Sequence, residues 1–465
     1  MRNHNHYNLS GGSDTVCKKD KRTVEEGYSF PDSVFFGSDV TVHDPAIFKD
    51  PKDGMYYVFG SHFAVACSED LIHWRQIAKD GQYQSLYKAD WKKVLSSGFA
   101  HSNRNYRGAV CGSTWAPDVL FHGEKYYMYA SLSTFGSSVS AIVRVEADSV
   151  LGPYRNERVI VTSSLSGDAN CIDPQIFEDQ AGRLFLIYGS FFGGIFIKEL
   201  ENQGAKWGLP KESGYGKLLW KGQAPPDAAQ GGPEGAFMFF RGGYYYLMVS
   251  DGSLFSNYHL RVARSTDPLG PFYDISGADM ASAHGKGNKL AGNFKFEGER
   301  GLAAYGHNSV CEKGGEFFVV GHIRHEEQGK VSGVHNVQVQ RMLFNEEGWP
   351  VLAPMRYAGE KLGKIQADEL VGDYDLILHD GGRGKEFVCS SRYTLTGEQT
   401  VTHGGAVCGV WSYQAEGNYI EMTLDGVRYK GVAMPAWTAH GGRAALSATS
   451  DQGRPLWAIG RFKMK

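Results

Sequence analysis

One unit recurs five times along this chain, and that recurrence limits the fold more than any other feature. A polar or acidic start leads into a short apolar run, a turn, and an aromatic-rich run that ends in a small residue. The copies read DPAIFKDPKDGMYYVFGS from Asp44, APDVLFHGEKYYMYAS from Ala116, DPQIFEDQAGRLFLIYGS from Asp173, EGAFMFFRGGYYYLMVS from Glu234 and, more divergently, GHNSVCEKGGEFFVVGH from Gly306. Each reads as a β-hairpin; in the first, residues 46–48 form one strand, 51–54 the turn and 55–59 the next strand. Three copies continue into the related phrases SEDLIHW (68–74), DSVLGPY (148–154) and STDPLGPF (265–272), as a polar turn before an outer strand would. The anchors lie 55 to 74 residues apart, room for about four strands of ~5–6 residues. Radial repetition of four-stranded sheets is a β-propeller, so five copies predict five blades. A stacked solenoid would use shorter and more regular repeats.

Composition agrees with an all-β chain. Sixty glycines supply tight turns, and a 13% aromatic content suits pleated, half-buried strands. A net charge of −3 with no basic face argues against nucleic acid as a partner. The cluster Lys18, Lys19, Lys21 and Arg22 reads as a solvated tail. The seven cysteines (17, 67, 111, 171, 311, 389 and 408) are scattered, lack zinc spacing, and suit a reducing compartment better than a disulfide framework. No apolar run is long enough to span a membrane, so no membrane association is expected. Residues 1–27 lack the apolar stretch of a signal peptide. The protein is therefore expected in the cytoplasm if Met1 is the natural start, and outside the cell if a signal has been removed.

Asp44, Asp118, Asp173, Glu234 and His307 fall at or beside the start of each hairpin's first strand. In a propeller those positions face one end of the central channel, so residues far apart in sequence would meet there. A lone Asp-Pro is ordinary turn chemistry. A blade needs a turn at that point but not a channel-facing carboxylate, and the recurrence of acids favours a chemical role. Glycoside hydrolysis needs one carboxylic acid to protonate the leaving oxygen and one carboxylate to activate water or attack the sugar. A third acid nearby can keep one of them protonated near neutral pH.

The motifs VHDPAIF (42–48), STWAPDV (113–119), CIDPQIF (171–177), GSFFGGI (189–195), GPEGAF (232–237) and GHNSV (306–310) resemble, in order, those of glycoside hydrolase family 43 arabinanases and their relatives. The resemblance spans about residues 28–360 and implies a five-bladed propeller that inverts the anomeric carbon. It implies Asp44 as general base, Glu234 as general acid, and Asp173 as the group that tunes and orients Glu234. Inversion implies a base–acid carboxyl separation of roughly 6.5–9.5 Å. Asp118, in the WAPD motif, is then a turn or packing residue. His307 is implied to help hold a channel ion, calcium, whose shell would be largely water. Trp115, Phe191 and Phe192 are candidate sugar platforms, and Asn170 and Ser190 candidate contacts to sugar hydroxyls.

The repeat ends after VLAPMRY (351–357), and residues 358–366 read as a linker. Beyond it, 419–424 alternates apolar and polar residues, Asp425-Gly426 supplies a hairpin turn, and 427–429 follows. A small C-terminal β-barrel or sandwich fits, with Trp411 and Trp437 in its core. The expected organisation is a polar segment over 1–27, a five-bladed catalytic propeller over 28–360 and a β-domain over 361–465. The expected activity is endo-hydrolysis of α-1,5-L-arabinan or arabino-oligosaccharides. An exo-acting α-L-arabinofuranosidase, a β-xylosidase on the same fold, and a non-catalytic sugar-binding propeller are the alternatives.

Overall fold

The computed structural model describes residues 27–30, 40–82, 84–103, 111–166, 168–222 and 231–464. The N-terminal segment with its basic cluster lies outside them. Among the described residues the chain is all-β apart from short helices, the longest of which is Ser96–Ser102.

Each repeat starts a sheet, and successive strands pair antiparallel with their neighbours. The first sheet comprises Ala46–Lys49, Tyr56–Phe59, Val65–Ser68 and Trp74–Ala78. The second is Thr114–His122, Lys125–Leu132, Ala141–Ala147 and Arg155–Thr162, and the third Gln175–Glu178, Leu184–Tyr188, Gly194–Leu200 and Lys217–Lys221. The fourth is Glu234–Arg241, Tyr244–Asp251, His259–Ser265 and Asn288–Lys289. In the opening hairpin Ala46 faces Phe59 and Lys49 faces Tyr56, with the turn closed by Asp50 N–H to the Met55 carbonyl at 2.9 Å.

The fifth repeat departs from the expectation of five equivalent blades. Its hairpin, Leu302–Lys313 with Glu316–Glu327, sits inside a seven-stranded sheet. Asn336–Phe344 and Pro350–Leu352 continue that sheet on one side. On the other, Phe294–Lys295 pairs in parallel with Val388–Cys389, a strand supplied from beyond the repeats. The chain thus builds four free-standing four-stranded blades and one widened sheet. The physical reason is that the fifth sheet borrows strands on either side of its hairpin. The innermost strands of consecutive sheets touch in turn, and Leu302–Lys313 touches Ala46–Lys49, so the ring closes.

Beyond the ring, eight strands from Gly372–Leu378 to Pro455–Lys463 form a closed antiparallel barrel, which leaves no free sheet edge. Asp425 and Gly426 adopt φ of 48° and 79°, the left-handed pair that a two-residue hairpin turn requires. The barrel interior is filled by side chains, Trp411 among them, while Trp437 packs against Phe30. One continuous core joins barrel to ring, with Ile377, Met434 and Trp457 packed among Leu290, Phe294 and Leu352. All six cysteines among the described residues are free. No helix among them is long and apolar enough to cross a membrane.

Candidate active site

A left-handed backbone turn sets the channel groups apart from the rest of their strands. Asp44, Asp173 and His307 have φ of 56°, 58° and 48°; in the fourth sheet Gly235, directly after Glu234, has 55°. For a residue with a Cβ this conformation costs about 1–3 kcal/mol and persists only where surrounding contacts impose it. Asp118 is different: it lies within the longer strand Thr114–His122 and shows no such turn. Its carboxylate accepts the Ile176 N–H at 2.7 Å, tying the second sheet to the third.

Residues in the later part of the second strands hold three of these turns. Ser131 Oγ accepts the Asp173 N–H at 2.9 Å, and Ser250 Oγ accepts that of His307 at 2.7 Å. At the ring closure His322 stands in the serine's place, and its Nδ1 accepts the Asp44 N–H at 3.2 Å. The two other serines act on the carboxylates themselves: Ser61 donates to Asp44 Oδ2 at 2.5 Å and Ser190 to Glu234 Oε2 at 2.8 Å. The sequence signal was present in the shared endings FGS, YAS, YGS, MVS and VGH, but a serine after a strand reads by itself as turn chemistry. Ser190, expected among the sugar contacts, is thus engaged with Glu234.

The three acids share one site. Asp173 Oδ2 accepts the N–H of Gly235, beside Glu234, at 3.1 Å. Asp44 Oδ1 lies 3.0 Å from His307 Nδ1 and 3.1 Å from His43 Nε2. Burial opposes ionisation of Asp44, but His307 and His43 outweigh it and hold the carboxyl well below its usual range. Burial likewise opposes charging of His307, yet Asp44 and Asp173 push it up to about 9. Burial pushes Asp173 up to about 8 against the pull of His307, with Glu234 adding to the rise. Burial also raises Glu234, partly offset by His307, Ser190 and Tyr258. The site therefore pairs an ionised carboxylate with two carboxyls whose proton affinity burial raises, Asp173 to about 8. Motif spacing points to a raised proton affinity on Glu234 alone; the depth at which Asp173 is buried, which spacing does not carry, adds a second such carboxyl.

Two residues absent from that reading complete the arrangement. Tyr258 is fully buried and its hydroxyl hydrogen-bonds Glu234, while its ring lies parallel to that of His322 at 5.6 Å. His43, inside the VHDP motif, contacts Asp44 on one side and stacks on His335 at 4.0 Å on the other. The nitrogens of His43, His322 and His335 lie within 4.8 Å of one another. The face-to-face stack of His43 on His335 sets their lone pairs side by side rather than converging, and His335 Nε2 accepts from Arg324 at 3.0 Å. As arranged, these rings brace Asp44 rather than enclose an ion.

A small cavity in the channel is lined by Asp44, Asp118, Asp173, Gln175, His307 and Asn308 among others. Asn308 is 4% exposed, and neither atom of its side-chain amide has a hydrogen-bond partner in the protein. An orphaned amide in an oxygen-rich, acidic channel suits a hydrated hard cation.

Of the expected sugar contacts, Trp115, Phe191 and Phe192 are partly exposed. Phe191 also takes a left-handed φ of 55°, and its N–H bonds the Pro233 carbonyl next to Glu234 at 3.0 Å. Asn170 is buried and accepts from Ser140 at 2.6 Å. Phe135 and Phe255 are 75% and 60% exposed and meet edge to face at 6.3 Å. Both follow second strands, which end at the acid-bearing face.

The profile of "Glycosyl hydrolases family 43" matches residues 38–350, and that of a "C-terminal lipocalin-like domain" matches 354–458. The chain is 32% identical to the extracellular endo-alpha-(1->5)-L-arabinanase 2 of Bacillus subtilis, over 92% of this chain and 96% of that protein. It is 33% identical to the extracellular endo-alpha-(1->5)-L-arabinanase of Thermotoga petrophila, over 90% of this chain and 93% of that protein. The crystal structure of a family 43 glycoside hydrolase from Bacillus licheniformis superposes with a TM-score of 0.83 at 35% identity, covering 93% of this chain and all of the other.

Proposed function

This chain belongs to glycosyl hydrolases family 43, and on that footing we propose that it cleaves internal α-1,5-L-arabinofuranosidic bonds of arabinan with inversion. The observation that carries the mechanism is the convergence of Asp44, braced by His307 and His43, with Glu234 and the Asp173 carboxylate that holds the turn beside it. Asp44, kept ionised by its histidines, takes a proton from the water that attacks the anomeric carbon. Glu234, whose proton affinity burial raises, gives its proton to the departing sugar oxygen. Asp173 fixes the turn beneath Glu234 through Gly235 and raises its proton affinity whenever it is itself ionised. Inversion follows because water and leaving group occupy opposite faces of the sugar.

Asn308 and, once it has given up its proton, His307 are proposed to hold a calcium ion together with water. When bound, the ion supplies positive charge that favours ionised carboxylates. The proposed organisation keeps the catalytic ring over 28–360 and the β-domain over 361–465, with the widened fifth sheet acting as the fifth blade. The named relatives are extracellular, and the same location is proposed here. Linear arabinan is the test: oligosaccharides of several lengths are expected early in digestion, and release of arabinose alone would overturn endo action. In Glu234→Gln, turnover should vanish while oligosaccharide binding persists.

A further inference from the structure

Arg383 belongs to the segment that leaves the barrel strand Gly372–Leu378 and ends in Val388–Cys389, the strand added to the fifth sheet. It grips a loop of the fourth sheet at both ends. Its guanidinium donates to both oxygens of Asp251, Nη2 to Oδ1 at 2.7 Å and Nε to Oδ2 at 3.2 Å. Its carbonyl accepts from Asn257 Nδ2 at 2.5 Å. Asp251 and Asn257 are buried and bracket residues 252–256, and the Asn257 side chain also accepts the Ser253 N–H at 2.8 Å.

The residue that follows Asn257 is Tyr258, whose hydroxyl bonds Glu234 and whose ring lies on His322. Asp251 follows Ser250, which holds the backbone of His307. The gripped loop therefore begins and ends on residues that touch the channel groups, and its tip carries the exposed Phe255. Bidentate Arg–carboxylate pairs fix direction as well as distance, and Asp251 is further held by Arg261 Nε at 3.1 Å. Ordering this loop in advance removes a conformational cost that would otherwise fall on the reaction.

We infer that Arg383 is a positioning residue for Glu234, acting from beyond the repeats through the 252–257 loop and Tyr258. The inference rests on Glu234 being the acid. Removal of the fork should lower kcat and leave KM on linear arabinan nearly unchanged, because the displaced group serves the reacting bond.

The test is a double-mutant cycle in the full chain with Arg383→Met and Tyr258→Phe, measuring kcat and KM on linear arabinan. Each single substitution is expected to lower kcat about tenfold, and the double variant should fall little further than Tyr258→Phe alone. Arg383→Lys, which keeps the charge and one donor direction, should recover part of the loss. Full kcat in Arg383→Met, or losses that multiply in the double variant, would overturn the inference. If Arg383→Met does not fold, Arg383→Gln, which also lacks the two-pronged fork, replaces it in the cycle and is read the same way. An inactive wild-type chain would instead contradict the proposed function, so the two failures are distinguishable.

Discussion

At the scale of single residues, the site depends on who donates to whom. Ser190 donates to Glu234 Oε2 and so favours its ionised form. Ser190→Ala should raise the Glu234 pKa further, and an acid catalyst with a higher pKa stays protonated to higher pH. The alkaline limb of kcat/KM is therefore expected to move upward while the acidic limb, set by Asp44, stays in place. A limb that moves downward would contradict the assignment of the acid. Asp118 supplies the contrast. Burial pushes it up to about 7, from an ordinary carboxylate value near 3.8, against the Ile176 and Val119 N–H groups. Between those values the folded state binds more protons than the unfolded, so this group's contribution makes stability fall as pH rises through that window. Asp118→Asn keeps an acceptor for Ile176 and should retain activity. It should also lose that part of the pH dependence, read from urea midpoints at pH 4 and pH 8.

At the scale of elements, the hairpins were legible because each carries its own pattern. The strands Ala46–Lys49, Tyr56–Phe59 and Tyr419–Leu424, and the Asp425-Gly426 turn, all fall where alternation and turn chemistry put them. Phe294–Lys295 and Val388–Cys389 were not legible. Two-residue strands have no periodicity, and their pairing partner lies over ninety positions away. The roles of Tyr258 and His322 were hidden for a related reason: their partners, Glu234 for one and Asp44 for the other, lie elsewhere in the chain, and nothing local to either residue encodes them. Close packing between elements also gives a steric test. A Cβ on Gly306 would lie 2.3 Å from the Tyr258 ring, far inside van der Waals contact. Gly306→Ala should displace that ring from Glu234, at a stability cost of about 1–3 kcal/mol and a loss of kcat greater than the melting shift explains. Unchanged kcat would separate Tyr258 from the chemistry.

At the scale of the whole molecule, ring closure brings together residues from position 44 to position 322, and the barrel is joined to that ring by one core and by the fork on Asp251. The convergence of Asp44, Asp173 and Glu234 was legible in the sequence because the ring's symmetry repeats in the chain. The proton on Asp173 was not, because burial is a property of the assembled channel. If calcium occupies the cavity beside His307, chelation should lower kcat and added Ca2+ should restore it, with magnesium a poor substitute in a site built for a larger, loosely held shell. The central claim is that water activated by Asp44 and a proton from Glu234 act on opposite faces of one sugar. Time-resolved proton NMR of arabino-oligosaccharide hydrolysis reads this directly from the first anomer released. The β-anomer should appear first and equilibrate afterwards; initial release of the α-anomer would contradict the mechanism.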